Sequence, residues 1–315
     1  MANTSGPLTV VEMQAIRLAI TEERIFKMFL VLSTHAVFIY INIVMLFTLR
    51  TKATFRETSR YILFAHMLLN DTIHLVVGLV LYVLGAFYLV IVRAICAFIV
   101  LMSASTFINA PLNLAVMSLE RYTAICFPLR HSELATPMRT RVAVVVVWAL
   151  GVFNVLTDVF ALFLLAEPSF YLSHTVCTIE QLLVAPWQRG KGVALNTLLF
   201  VAVMAVLLYT YVAILKQARA ASTDHSSAQK ALRTVLLHAL QLGLSLMSFL
   251  YVQLEFLLGS LPLPVYTQLR FLNFFMVLIL PRCLSSLIYG LRDETFRPLF
   301  RQYVLFCSAK KLEPL

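Results

Sequence analysis

The sequence predicts an all-α membrane protein, a seven-transmembrane helix bundle with a short amphipathic C-terminal helix, on three observations. The 315 residues are 61% hydrophobic and only 13% charged, whereas soluble globular domains carry roughly 25% charge. The apolar residues gather into seven runs, each long enough to cross a bilayer core as a helix. The connectors between the runs alternate in charge, which is the signature of a polytopic topology.

In chain order, residues 25–49 form the first run, with His35 and Asn42 as its interior polar groups. The second, about 58–84, holds His66, Asn70, Asp71 and His74. The third, about 93–122, closes on Glu120-Arg121-Tyr122. At 1.5 Å per residue a helix from Cys96 to Arg121 covers about 37 Å, so these two residues belong to opposite faces. The fourth run, about 140–165, carries Trp148 and Asp158, and the fifth covers about 191–216. A polar connector, Ser222 to Gln229, leads into the sixth, from Lys230 to about Leu258. Gly259-Ser260-Leu261-Pro262-Leu263-Pro264 is a turn-rich break. The seventh run, about 266–290, is followed by an amphipathic tail bearing Phe296, Leu299, Phe300 and Tyr303. The domain reading is an outer N-terminal segment 1–24, a bundle 25–290, and a cytoplasmic helix and tail 291–315.

The formal charge of +10 lies in short pieces between apolar runs, so topology explains it better than nucleic-acid binding. The links after the first, third, fifth and seventh runs hold Arg50/Lys52/Arg56/Arg60, Arg130/Arg139/Arg141, Lys216/Arg219/Lys230/Arg233 and Arg292/Arg297/Arg301/Lys310/Lys311. The links on the other side are sparse or balanced. The positive-inside rule therefore places the N-terminus outside and the C-terminus inside. Residues 1–24 carry Glu12, Arg17, Glu22, Glu23 and Arg24 and read as no cleaved signal peptide. Asn3-Thr4-Ser5 is a glycosylation sequon usable only on that outer side.

Five cysteines show no CxxC pair and no Cys/His cluster at metal spacing, so neither a metal nor another cofactor is expected. Cys96 and Cys177 are the two that the topology puts on the oxidising side, where a disulfide would tether the long link 166–190 over the bundle mouth. Cys126, Cys283 and Cys307 fall toward the cytoplasm, and Cys307 is a palmitoylation candidate. An ionised carboxylate near mid-bilayer costs at least about 2.5–3.5 kcal/mol, so Asp71 must face the interior and find a partner. His66 and His74 read as interior or interfacial donors, and Asp158 and Glu255 as interfacial, solvated acids, with attraction of a cation as the alternative. No catalytic set accompanies these groups, and the paired repeats and broken helices of a secondary transporter are not evident.

Glu120-Arg121-Tyr122, followed by Ala124-Ile125-Cys126 and Pro128-Leu129, together with Leu287-Ile288-Tyr289 separated by six residues from Phe296, resembles the rhodopsin-like G-protein-coupled receptors. The fuller run Met117 to Cys126, with Lys230-Ala231, Thr234, His238 and Leu287 to Arg292, is most similar to fish odorant receptors. Two departures stand out. Ser285-Ser286 replaces the usual Asn-Pro, with Pro281 the nearest proline, and Ser245-Leu246 replaces the sixth-helix aromatic pair.

The resemblance implies that Glu120 restrains Arg121 at rest and that Arg121 reaches into a cytoplasmic cleft on activation. Tyr122 completes the motif, with Tyr211 and Tyr289 as polar supports. It also implies that Asp71 and Arg282 meet. Arg282 lies two helical turns before Tyr289 on the same face, and such a pair would occupy the place of the sodium ion many of these receptors bind. The implied ligand is a small, mostly uncharged odorant held between the third, fifth, sixth and seventh helices. The inward positions by helical spacing are Ser103, Phe107, Leu195, Leu199, Phe249, Gln253 and Phe275. The other implied partners are a stimulatory heterotrimeric G protein and the plasma-membrane bilayer of olfactory cilia; a peptide or lipid receptor, or a transporter, is the alternative.

Overall fold

The computed structural model describes residues 21–220, 243–244, 246–247 and 250–304. The Asn3 sequon, Phe249, Cys307 and most of the expected sixth span lie outside the described residues. Among those described, six helices are long and apolar enough to cross a membrane.

Helix α1 (Glu22–Thr51) begins three residues ahead of the expected Ile25, because the Thr21 hydroxyl caps it by accepting from the Arg24 N–H at 3.3 Å. Helix α2 (Ser59–Ala86), α3 (Arg93–Cys126) and α4 (Pro137–Leu165) follow the expected runs. Proline at the first position of α4 and Thr136 as its cap explain where that helix starts. Helix α5 (Trp187–Ala220) opens four residues before the expected position 191. The described residues 250–258 are helical and form α6.

Helix α7 departs most from a simple span. It runs as Leu263–Leu272, a π-helical stretch Asn273–Ile279, and Leu280–Arg292. Pro281 withholds a main-chain donor, and the helix accommodates that loss by widening in the turns before it. The amphipathic helix α8 (Phe296–Val304) closes the described chain.

The link between α4 and α5, expected only as long and mixed, contains a strand. β2 (His174–Val176) pairs antiparallel with β1 (Val90–Val92), in the register Val90 with Val176 and Val92 with His174. The Cys96–Cys177 disulfide lies directly beyond this ladder, with both cysteines buried among Val100, Leu162 and Leu182.

The largest apolar cluster sits at the opposite end. Phe296 and Phe300 of α8 pack on Met45, Phe55, Tyr61 and Phe64. Gly290 lets the chain approach closely here, since a Cβ would come within 2.8 Å of Met45 Cε and 3.3 Å of the Phe296 ring and Met45 would have to shift. Mid-bundle, α4 crosses α3 at Gly151, where a Cβ would collide with the Asn109 side chain and lie 3.2 Å from the Ser105 carbonyl. The many exposed aliphatic and aromatic side chains along α1, α4 and α5, such as Phe29, Val145, Phe160 and Leu198, form the surface a bilayer would cover.

Candidate functional site

Three groups of polar residues are organised by these helices: one at the Arg121 end, one inside the bundle and one at the disulfide end.

At the Arg121 end, Glu120 Oε2 lies 3.6 Å from Arg121 Nε, a neighbouring-residue ion pair. Glu120 Oε1 also lies 3.4 Å from His131 Nε2, at ion-pair range but outside hydrogen-bond geometry. His131 was missed by sequence reading, and its position in a short helix after the Pro128–Arg130 turn is set by tertiary packing. Tyr122 Oη meets Tyr209 Oη at 3.2 Å. Tyr211, expected as a support of Arg121, is half-buried and lies roughly 200° around α5 from Tyr209. One turn up, the Ser118 and Thr210 hydroxyls pair and join α3 to α5. The Tyr289 side chain is outside the described residues.

Asp293 ties α8 to this end. Its Oδ1 accepts from the Phe296 N–H at 2.9 Å and the Thr295 N–H at 3.0 Å, and its Oδ2 lies 3.0 Å from Arg60 Nη2. Tyr61 Oη donates to the same carboxylate.

Inside the bundle, the structure brings Asp71 and Arg282 together. Asp71 Oδ1 and Arg282 Nη1 are 4.0 Å apart, and each residue is only 3% exposed. Ser286, which stands where an Asn-Pro hinge was missing, donates to Asp71 Oδ2 at 3.2 Å. Arg282 Nη2 donates to the Phe107 carbonyl at 3.3 Å, and its guanidinium carbon lies 5.5 Å from the Phe107 ring.

The interior histidines act as expected, as donors. The Thr106 hydroxyl donates to the Met102 and Ser103 carbonyls, so it accepts from His74 Nδ1 at 2.9 Å. The Trp148 indole, which can only donate, does so to His66 Nε2 at 2.6 Å. That leaves His66 Nδ1 to donate to Asn113 Oδ1 at 2.9 Å, linking α4, α2 and α3.

Toward the disulfide end lie the residues expected to line a ligand layer. Phe107 packs with Leu75, Leu278 and Ile279, and Phe275 is buried and stacked on Phe271. Ser103, Leu195 and Leu199 are half-buried. Gln253 is a correction: it is exposed, while Tyr251 joins the Phe107 cluster and Glu255 binds α7. Tyr251 and Glu255 are one turn apart on one face, which places Gln253, midway between them, on the opposite face. Tyr251 and Phe274, not foreseen, pack against the same cluster as Phe107.

The two acids expected to be merely solvated are paired. Glu255 Oε1 lies 2.8 Å from Arg270 Nε and accepts from Tyr266 at 3.1 Å. Asp158 Oδ2 lies 2.8 Å from Lys191 Nζ, and Gln188 donates to its other oxygen at 3.1 Å. An apolar groove of about 860 Å³ runs along the outer flank of α4 and α5, between Phe153, Phe160, Leu164 and Trp187, away from the interior layer. Among the described residues no group of His, Cys, Asp and Glu could hold a metal ion.

The 7 transmembrane receptor (rhodopsin family) model matches residues 41–289. The chain is 34% identical over 273 residues to Odorant receptor 131-2 of Danio rerio, covering 86% of this chain and 83% of that receptor. It is 27% identical over 188 residues to Olfactory receptor 2M3 of Homo sapiens, covering 58% of each chain. It is 27% identical over 209 residues to Olfactory receptor 1073 of Rattus norvegicus, covering 64% of this chain and 63% of that receptor. The matched region begins within α1 and ends at Tyr289 in α7, spanning the helices, the loop disulfide and the Glu120-Arg121-Tyr122 motif described above. The chain therefore belongs to the rhodopsin family of seven-transmembrane receptors, a family of signalling receptors and not of enzymes.

Proposed function

We propose that this receptor detects a small, mostly apolar odorant in the outer half of its bundle and activates a stimulatory heterotrimeric G protein at the Arg121 end. The similarity to the zebrafish odorant receptor, which extends over 86% of the chain, carries the reading. The local chemistry supports it. Phe107, Tyr251 and Phe274 pack on Leu75, Leu278 and Ile279, an apolar lining that suits a mostly apolar ligand, and Arg282 reaches its edge at Phe107. At the other end, Glu120 restrains Arg121 in the resting receptor, and ligand binding releases it toward the G protein.

In this reading the Arg121 end faces the cytoplasm and the disulfide end faces outside, which the asymmetry of the basic links supports; the olfactory cilium as the site of action follows from the odorant-receptor reading. A screen of volatile and water-soluble odorants on cells carrying a cyclic-AMP reporter tests the reading. An agonist should raise cyclic AMP through the native receptor, and Arg121→Ala at equal surface level should lose at least about 90% of the response, the order of a removed transition partner. An agonist that signals equally through Arg121→Ala would overturn the role given to the arginine. The orientation is checked separately: Asn3→Gln should remove a glycosidase-sensitive mass shift, and a native receptor without that shift would contradict an outer N-terminus.

A further inference from the structure

Two of the eleven prolines, Pro111 and Pro281, lie deep inside spans, and the structure joins their helices at one side chain. Proline has no N–H, so the carbonyl four residues earlier loses its helical donor. For Pro111 that carbonyl belongs to Phe107. It is the carbonyl to which Arg282 Nη2 donates, at 3.3 Å. Arg282 in turn directly follows Pro281, at the end of the π-helical stretch Asn273–Ile279.

The guanidinium thus reaches three helices. It starts on α7, donates to a main-chain acceptor on α3, and lies 4.0 Å from the carboxylate of Asp71 on α2. Asp71 is itself held by Ser286, one turn further along α7, whose hydroxyl donates at 3.2 Å. A planar, always charged fork can serve the carbonyl and the carboxylate together, which a lysine ammonium cannot match.

We propose that Arg282 is a positioning residue that clamps α3 to α7 in the resting receptor. It supplies the donor that Pro111 withholds from the Phe107 carbonyl, while Asp71 holds its charge. Phe107 belongs to the ligand layer, so displacement of its backbone by a ligand weakens the clamp and frees α7 to move relative to α3. The clamp itself does not depend on which ligand is bound. Its effect on signalling rests on the receptor reading given above.

The test uses the full-length receptor purified in detergent. Breaking a buried pair on one side is strongly destabilising, so Arg282→Gln should lower Tm by on the order of 10 °C. The neutral double variant Asp71→Asn/Arg282→Gln should recover at least about half of that loss. Pro111→Ala restores an N–H to the Phe107 carbonyl, so the same Arg282→Gln change should cost about 3 °C less in that background. If Arg282→Gln does not fold, Arg282→Lys replaces it in the Pro111 comparison, where Asp71 keeps its charge. Additive effects of the Pro111 and Arg282 substitutions would overturn the clamp.

Basal nucleotide exchange on added G protein, without odorant and per folded receptor, separates positioning from a structural role. Arg282→Lys should raise it about 2–5-fold, the range of a coupling of modest size. An unchanged basal rate beside a lowered Tm would make Arg282 structural only and overturn the positioning role. A native receptor that activates no G protein with any odorant would instead fail the receptor reading, leaving the Tm coupling to judge the clamp.

Discussion

The two ends of the bundle are held by different kinds of contact. At the disulfide end the loop between α4 and α5 is tied by a covalent bond, a strand ladder and the Arg93 guanidinium 4.0 Å from the Phe170 ring. Around it, Lys191 pairs with Asp158, Arg270 with Glu255, Lys27 with Glu23 and Gln268, and Arg24 donates to the Ala86 carbonyl. At the Arg121 end the motif itself is held by looser contacts, at 3.6 Å to Arg121, 3.4 Å to His131 and 3.2 Å between Tyr122 and Tyr209. A binding end gains from being fixed before the ligand arrives. A switch must instead have two arrangements separated by only a few kcal/mol.

The largest expected effect lies at the fixed end. Cys96→Ser removes a bond closing 81 residues of chain and should cost on the order of 2–5 kcal/mol, read as a steep loss of folded receptor at the cell surface. Near-native surface levels and Tm would show that the strand ladder alone holds the loop.

Next comes Asp293→Ala, which removes the α8 cap and the Arg60 and Tyr61 partner together. Loss of the cap alone is worth about 0.5–2 kcal/mol, so a Tm decrease of a few degrees is expected in the purified receptor. An unchanged Tm would mean that the burial of Phe296 and Phe300 anchors α8 unaided.

Glu120→Gln should change stability by under about 1 kcal/mol, because the pair is short-range and partly solvated, yet raise ligand-independent cyclic AMP about 2–5-fold. A large Tm loss with no gain in basal signalling would erase the distinction between the two ends. The smallest effect is expected from His131→Ala, which removes the second contact to Glu120 and should raise basal signalling less than about twofold. A rise larger than that of Glu120→Gln would make His131 the principal restraint.

Much of this molecule was readable from local chemistry. Helix ends followed Thr136-Pro137 and the apolar run lengths, because a membrane span needs about 20 apolar residues wherever it packs. Cys96 and Cys177 were identified by which side of the membrane each occupied. Asp71 and Arg282 announced themselves as charges with nowhere to go but inward. The structure pairs Tyr122 with Tyr209, a contact the sequence does not single out because α5 is apolar nearly all round and leaves no periodic signal. Gln253 was placed on the wrong face because the register of α6 is decided by Asn273, Arg270 and Tyr266 across the interface.

By itself, the sequence determined that this chain crosses the membrane seven times and which charges are buried, since both follow from the cost of placing polar groups in hydrocarbon, and it carried the Glu120-Arg121-Tyr122 motif as a family resemblance. Only the tertiary structure decided which polar group each one meets. His131 reaches Glu120 and Arg282 reaches the Phe107 carbonyl because helices distant in sequence pack at angles and depths that no local pattern encodes.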